Sequence, residues 1–225
     1  MFNLLSKIFD DSVDMRFVYV PVIAIVILIA ILVIISLNKK KFNTKCIAFA
    51  GLTIAASFGL SYLKFSPVTY GGSVTLASMV PIAIFAYMFG FAPALLCGLI
   101  YGLLQFIQGG MYVFTTSTFL LDYLLAFTSI ALMAVAKKVK KDSKYAPVLG
   151  ICLVYLARFL FHFASGLIYF ENGGIWASLP QDNAFIYSFL YQITYLGPDL
   201  IISGIVIYIL CATKTFKRLV SFSEK

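Results

Sequence analysis

The sequence predicts an all-α membrane protein with seven transmembrane spans. Three observations carry that expectation. Only 12% of the 225 residues are charged, about half the share of an ordinary soluble domain. Hydrophobic residues make up 62%, and the mean hydropathy is +0.99. The net charge of +8 is gathered in short clusters between apolar runs, which fits membrane topology and argues against a nucleic-acid surface.

A hydrocarbon core about 30 Å thick needs about 20 apolar residues per helix. Runs of that kind are Phe17–Leu37, Thr44–Leu63, Val74–Phe89, Ala92–Gln108, Ser117–Ala136, Ala146–Phe170 and Phe185–Ala212. The third and fourth are short and separated only by Gly90-Phe91, so they should form a tight helical hairpin. Gly and Pro recur inside the spans, which membrane helices tolerate when neighbours satisfy the freed backbone groups. The first run follows an acidic segment (Asp10, Asp11, Asp14) and ends in Asn38-Lys39-Lys40-Lys41. No small-residue cleavage site is evident there, so a signal peptide is not expected.

Orientation follows from Lys and Arg. Thirteen of the 17 fall in three segments: Lys39, Lys40, Lys41 and Lys45; Lys137, Lys138, Lys140, Lys141 and Lys144; and Lys214, Lys217, Arg218 and Lys225. In a seven-span chain all three lie on one side, predicted to be cytoplasmic. The expected arrangement is a multi-pass cell-membrane protein with its amino terminus outside and its carboxy terminus inside.

The opposite connections, Lys64–Ser73, Gly109–Thr116 and Glu171–Ala184, are poor in basic residues. They carry or adjoin Tyr70, Tyr112, Phe114, Phe170, Trp176 and Tyr187. Each aromatic alone fits an interfacial belt; their concentration near polar intramembrane groups points to a pocket.

Ionisable residues inside spans are costly and mark function or pairing. Asp122, Arg158, His162 and Asp199 are such residues. Arg158 and His162, four apart, share one helix face. Arg158 and Asp199 are read as a buried structural ion pair, with a transport relay as the other possibility. Asp122 and His162 are the ligand candidates. A carboxylate among aromatic walls suits a cation, and aromatic faces add cation–π attraction. Asp122 could instead face water near its helix start, and His162 could simply satisfy a neighbouring helix.

The four cysteines (Cys46, Cys97, Cys152, Cys211) show no metal or disulfide spacing, and read as small apolar side chains. No metal or cofactor is expected. HExxH, GxSxG, P-loop and dinucleotide fingerprints are absent, so the chain is not expected to be an enzyme. Active transport would have to draw on a partner or a gradient.

Four pieces occur in order: Tyr70-Gly-Gly-Ser-Val-Thr-Leu-Ala-Ser-Met-Val-Pro81, Gly98-Leu-Ile-Tyr-Gly-Leu-Leu-Gln105, Leu121-Asp-Tyr-Leu-Leu-Ala-Phe127 and Arg158-Phe-Leu-Phe-His162. Together they resemble the thiamine-specific substrate-binding subunits (S-components) of energy-coupling factor (ECF) vitamin transporters. The resemblance covers about residues 44–212. It implies a six-helix S-component-like bundle preceded by one extra N-terminal transmembrane helix. The chain then divides into an N-terminal segment (1–43), a substrate-binding membrane domain (44–213) and a basic cytoplasmic tail (214–225).

The resemblance also implies capture of thiamine, or of a related pyrimidine or thiazole compound, from outside and docking on a transmembrane T-component with two cytoplasmic ATPase subunits. By position, the family's carboxylate–Tyr pair falls on Asp122 and Tyr123, and its upstream aromatic on Tyr112. Its histidine falls on His162 and a later tyrosine on Tyr187. The family's Glu is Asp122 here, a tryptophan is replaced by Phe170, and an Asn by Gln192. The first-loop tryptophan has no clear match; Tyr70 is the nearest aromatic. The implied small-residue docking face maps to Gly51, Ala55 and Gly59, four apart, which permit close approach of another helix or packing within the subunit. The alternative to an importer subunit is a self-sufficient, proton-coupled secondary transporter using Asp122 or Asp199.

Overall fold

The computed structural model describes residues 16–38, 42–65, 72–109, 116–139, 145–170, 178–180 and 182–223. Helix α1 (Arg16–Leu37) is apolar all round and contains Pro21. One stripe of it, Val20, Ala24, Leu28, Ile31 and Ile35, packs on the bundle, while residues such as Ile23, Val26 and Leu32 stay exposed. Such a helix suits lipid on its open faces.

Helix α2 (Thr44–Ser61) starts at Asn43, whose side chain accepts a bond from the Cys46 amide at 2.8 Å. This cap satisfies one of the free amides of the first turn. A short antiparallel pair follows, β1 (Lys64–Phe65) with β2 (Val74–Thr75), in the register Lys64 to Thr75 and Phe65 to Val74.

Helix α3 runs only from Val80 to Phe89, with Pro81 in its first turn. At 1.5 Å per residue it is too short to cross a bilayer alone. The sequence expectation of a helical span from Val74 is corrected here. Val74–Thr75 form a strand, and Ala77 takes a positive φ of 56°, which breaks helical continuation. Proline then favours a fresh helix start at Val80. The irregular stretch is tolerated because Val74, Thr75, Ala77, Ser78 and Met79 are all buried in protein.

Gly90, at φ +93°, ends α3 and opens α4 (Phe91–Gln108). That conformation favours glycine, so the predicted tight hairpin turns on one residue. Helix α5 spans Thr116–Val139. It is composite: a π-helical segment over Phe119–Leu125 and a 3-10 turn over Ser129–Ala131 interrupt it. Helix α6 (Ala146–Tyr169) and helix α7 (Ala184–Cys211) complete the long elements; α7 is capped by Asn183 and contains Pro198. The final segment, expected as a tail, carries helix α8 (Lys214–Ser223). It docks by Phe216 against Tyr87 and by Phe222 against Phe49, with Lys45 Nζ donating to the Phe222 carbonyl at 3.1 Å.

Five helices, α2, α4, α5, α6 and α7, are long and apolar enough to cross a membrane, with α1 and α3 as shorter apolar helices. The chain is therefore a multi-pass, all-α membrane protein. Helix α5 packs on α4 and α6, and α6 on α7. Helix α3 lies among α2, α4, α5 and α8, and α1 rests against α4 and the first half of α5. Gly98 and Gly102 let α4 lie flush on the α5 backbone: an added Cβ would meet the Phe127 carbonyl at the first and the Tyr123 carbonyl at the second. Small residues four apart allow this approach in membranes.

Two opposite outcomes test the packing. Gly98→Val should lower the thermal stability of the detergent-solubilised protein by about 1–3 kcal/mol, the usual cost of overpacking. Gly51→Ala, where a Cβ meets nothing within 4 Å, should leave the unfolding temperature unchanged or slightly raised.

Candidate functional site

The site grows from one carboxylate on an irregular helix. Asp122 lies in the π-helical segment of α5, a local geometry frequent at functional positions. Its Oδ1 is 2.8 Å from His162 Nδ1, and its Oδ2 accepts a bond from Ser165 Oγ at 2.6 Å. Both partners lie on α6, three residues apart and therefore on one face. The side chain of Asp122 keeps 29% exposure against 11% for His162, so the carboxylate is held but not sealed. The other ring nitrogen of His162, Nε2, is buried and has no hydrogen-bond partner among the described residues. Burying such a group unmatched is expensive.

Helix α7 supplies the facing wall. Gln192 Nε2 donates to the His162 carbonyl at 3.1 Å, and Gln192 Oε1 accepts from the Tyr195 hydroxyl. Tyr187, Tyr191 and Tyr195 recur every four residues, forming a ladder with centroids 6.0 and 5.8 Å apart. Phe170 closes its upper end 5.2 Å from Tyr187, and the His162 ring meets Tyr195 edge-on at 6.1 Å. Close contact of α6 with α7 depends on Gly166, since a Cβ there would strike Ser188 Oγ. Ser188 in turn donates to the Phe163 carbonyl at 3.0 Å.

Asp122, His162, Phe170, Tyr187 and Gln192, singled out in the sequence, thus fall in one connected set. Tyr123 contributes to a neighbouring cluster, with its ring 5.2 Å from Phe106 and 6.3 Å from Phe119. Tyr70 and Tyr112 lie outside the described residues. Ser165, Tyr191 and Tyr195 were not singled out as site residues. The two tyrosines carry a legible signal, a tyrosine every fourth residue leading to Asp199.

A second polar centre lies one turn along α6. Arg158 Nη1 is 3.8 Å from Asp199 Oδ2, and the guanidinium lies over the rings of Phe127 and Tyr155, at 4.7 and 5.3 Å. Asp199 also accepts bonds from the Tyr155 hydroxyl at 2.6 Å and from Thr75. Gly51, Ala55 and Gly59 are exposed on α2. Among the described residues, no three His, Cys, Asp or Glu side chains gather as metal ligands would.

The bundle and its aromatic-walled polar centre define a class: multi-pass helical membrane proteins with polar chemistry concentrated inside the bundle. The family described as "Thiamine transporter protein (Thia_YuaJ)" matches residues 47–219, and the chain belongs to that family. Thiamine transporter ThiT of Bacillus subtilis (strain 168) is 30% identical over 188 residues, covering 79% of this chain and 95% of the relative. Thiamine transporter ThiT of Lacticaseibacillus paracasei is 30% identical over 153 residues, 61% of this chain and 73% of its own. The solved structure of ThiT from Listeria monocytogenes matches with a TM-score of 0.65 at 25% identity, over 81% of this chain and 99% of that one. Helix α1 precedes the family match.

The α6–α7 contact behind the site is directly testable. Gly166→Val should force Ser188 away and lower the unfolding temperature in detergent by the equivalent of about 1–3 kcal/mol. Ser188→Ala in the same chain should recover part of that loss.

Proposed function

We infer that this chain is the thiamine-binding subunit of an ECF-type importer. It captures the vitamin at the end of the bundle that holds Asp122 and His162. It delivers it when docked on a transmembrane T-component driven by two ATPase subunits. The observation that carries the reading is the Asp122–His162–Ser165 group beside the Phe170–Tyr187–Tyr191–Tyr195 ladder.

Thiamine joins a thiazolium cation to an aminopyrimidine ring. A carboxylate held in a low-dielectric setting attracts the cation strongly, and aromatic faces add cation–π and stacking attraction. Asp122 is assigned as counter-ion, with His162 Nε2 and Gln192 as hydrogen-bonding groups. Tyr187 and Phe170 stack on the rings. Tyr123, Tyr112 and Tyr70 are assigned as further aromatic ligand groups on the family pattern alone; Tyr112 and Tyr70 lie outside the described residues. Asp122 has one methylene fewer than the glutamate of the family pattern and sits in the π-helical segment of α5.

Lys45, Lys137, Lys138 and Arg218 sit at the helix ends remote from this group, and the positive-inside rule makes that end cytoplasmic. The site end then faces outward. The docking face is assigned to Gly51, Ala55 and Gly59. Added Cβ atoms at Gly51 and Gly59 meet nothing within 4 Å, so the bundle itself leaves room for a partner backbone. An apolar groove of about 450 Å³, lined by Phe49, Leu52, Ala56, Leu60, Pro81 and Val206, runs alongside. Helix α1 packs on α4 and α5 instead.

Thiamine should quench the intrinsic tyrosine and tryptophan fluorescence of the purified protein saturably at micromolar concentration or below; absence of saturable binding sinks the assignment. Asp122→Asn should weaken thiamine about tenfold or more, yet weaken the neutral aminopyrimidine fragment much less. Equal losses would remove the counter-ion role. Ala55→Leu should keep thiamine binding but abolish ATP-dependent uptake in proteoliposomes containing the partner complex. Uptake by the chain alone on a pH gradient would replace the importer reading with secondary transport.

A further inference from the structure

Asp199 does more than face Arg158. Its Oδ1 accepts two bonds from one residue, Thr75: the amide at 3.1 Å and the hydroxyl at 2.8 Å. Its Oδ2 accepts from Tyr155 and faces Arg158. Half of a buried carboxylate, supplied by α7, is therefore spent on holding strand β2. The strand needs such an anchor, because its pairing with β1 extends over two residues and a hairpin of that size is marginal by itself.

The anchor has a geometric consequence. Tyr191, Tyr195 and Asp199 lie four apart on α7, so they mark one side of it over about 12 Å. Residues 72–75, extended, span about 10 Å and run along it. At one end Thr75 is bonded to Asp199. At the other the Gly72 amide donates to the Tyr191 hydroxyl at 3.1 Å. At that same end Gly72 lies so close to the Tyr195 ring that an added Cβ would overlap it. Tyr195 is bonded to Gln192, and Gln192 to the His162 carbonyl.

We propose that Asp199 is a positioning residue of the ligand site: by tethering Thr75 it seats Gly72–Thr75 along the Tyr191–Tyr195 wall and thereby slows ligand escape. Arg158 supplies the counter-charge that keeps the tether in place within the bundle. The inference rests on the thiamine site proposed above, but its contacts are independent of the ligand's identity.

Asp199→Asn would leave Arg158 without its counter-charge and risks the fold, so the test acts on the other partner. Thr75→Val keeps the shape and removes the hydroxyl. It should raise the thiamine dissociation rate about tenfold, with association within about twofold; the ligand-free unfolding temperature should fall modestly, because the substitution also takes the partner of Ser78 Oγ, 2.7 Å from the Thr75 hydroxyl. Thr75→Ser, which restores the hydroxyl, should return dissociation to the wild-type rate. Dissociation from Thr75→Val at the wild-type rate, or from Thr75→Ser as fast as from Thr75→Val, would overturn the proposal. Hydrogen exchange reads the same tether without ligand: the Gly72 and Thr75 amides should exchange about tenfold faster in ligand-free Thr75→Val. If the wild-type protein binds no thiamine, the functional reading fails alone. The tether is then decided by exchange, and unchanged protection at Gly72 rejects it.

Discussion

A carboxylate inside an apolar bundle has to be matched by partners from the protein itself, and two such groups organise this one. Asp122 on α5 and Asp199 on α7 both find partners on α6, and Asp199 finds a further one in Thr75 of β2. Tyr155 and Arg158 serve Asp199, while His162 and Ser165 serve Asp122. These four positions fall at offsets of three, seven and ten residues, a single stripe along one helix. Helix α6 is thus a polar spine with an apolar exterior, and the helices on either side are oriented by what that spine has to neutralise. Moving either aspartate would leave several donors without an acceptor at once.

The irregular backbone collects around the same groups. The π segment surrounds Asp122, the strand β2 ends at Thr75, and Pro198 immediately precedes Asp199. Regular helices fill the rest, held by apolar side chains such as Phe85, Ile130, Met133 and Ile151 with almost no exposure. Regular elements give a rigid frame, and the departures from regularity aim particular polar atoms. Elsewhere, Gly90 serves connection, and the 3-10 turn over Ser129–Ala131 carries Ser129, whose Oγ donates to the Ala126 and Val154 carbonyls.

Much of this was legible in the sequence for a physical reason: in a bilayer, apolar length is nearly the whole of the folding code for a span. The runs beginning at Thr44, Ala92, Ser117, Ala146 and Phe185 therefore correspond closely to helices. Val74–Met79 reads as the start of a helical span, yet is strand and turn, because a short apolar run looks alike as buried strand or buried helix. Asp122 and His162 each stand out as costly in hydrocarbon, but nothing in the sequence pairs them directly, and Ser165 as the second donor is hidden, since serine is common in membrane helices for other reasons. The Thr75–Asp199 contact joins residues 124 apart, and nothing local in either segment announces it. The tyrosine stripe of α7 was visible as a period of four; what it faces was not.

The π segment also sets how α5 can tolerate change in length. A π turn accommodates an extra residue compared with an α turn, so side chains below Leu125 are rotated by about 100° from where an unbroken helix would put them. Two faces of one helix are therefore in different phase: the upper presents Asp122 to α6, and the lower presents Ser129, whose Oγ lies 3.3 Å from the Val154 carbonyl. Gaining or losing one residue within Phe119–Leu125 would leave the ends of the span almost where they are, yet turn the upper face away from His162. In this helix a single-residue insertion or deletion is an angular event before it is a linear one, and it falls on the carboxylate.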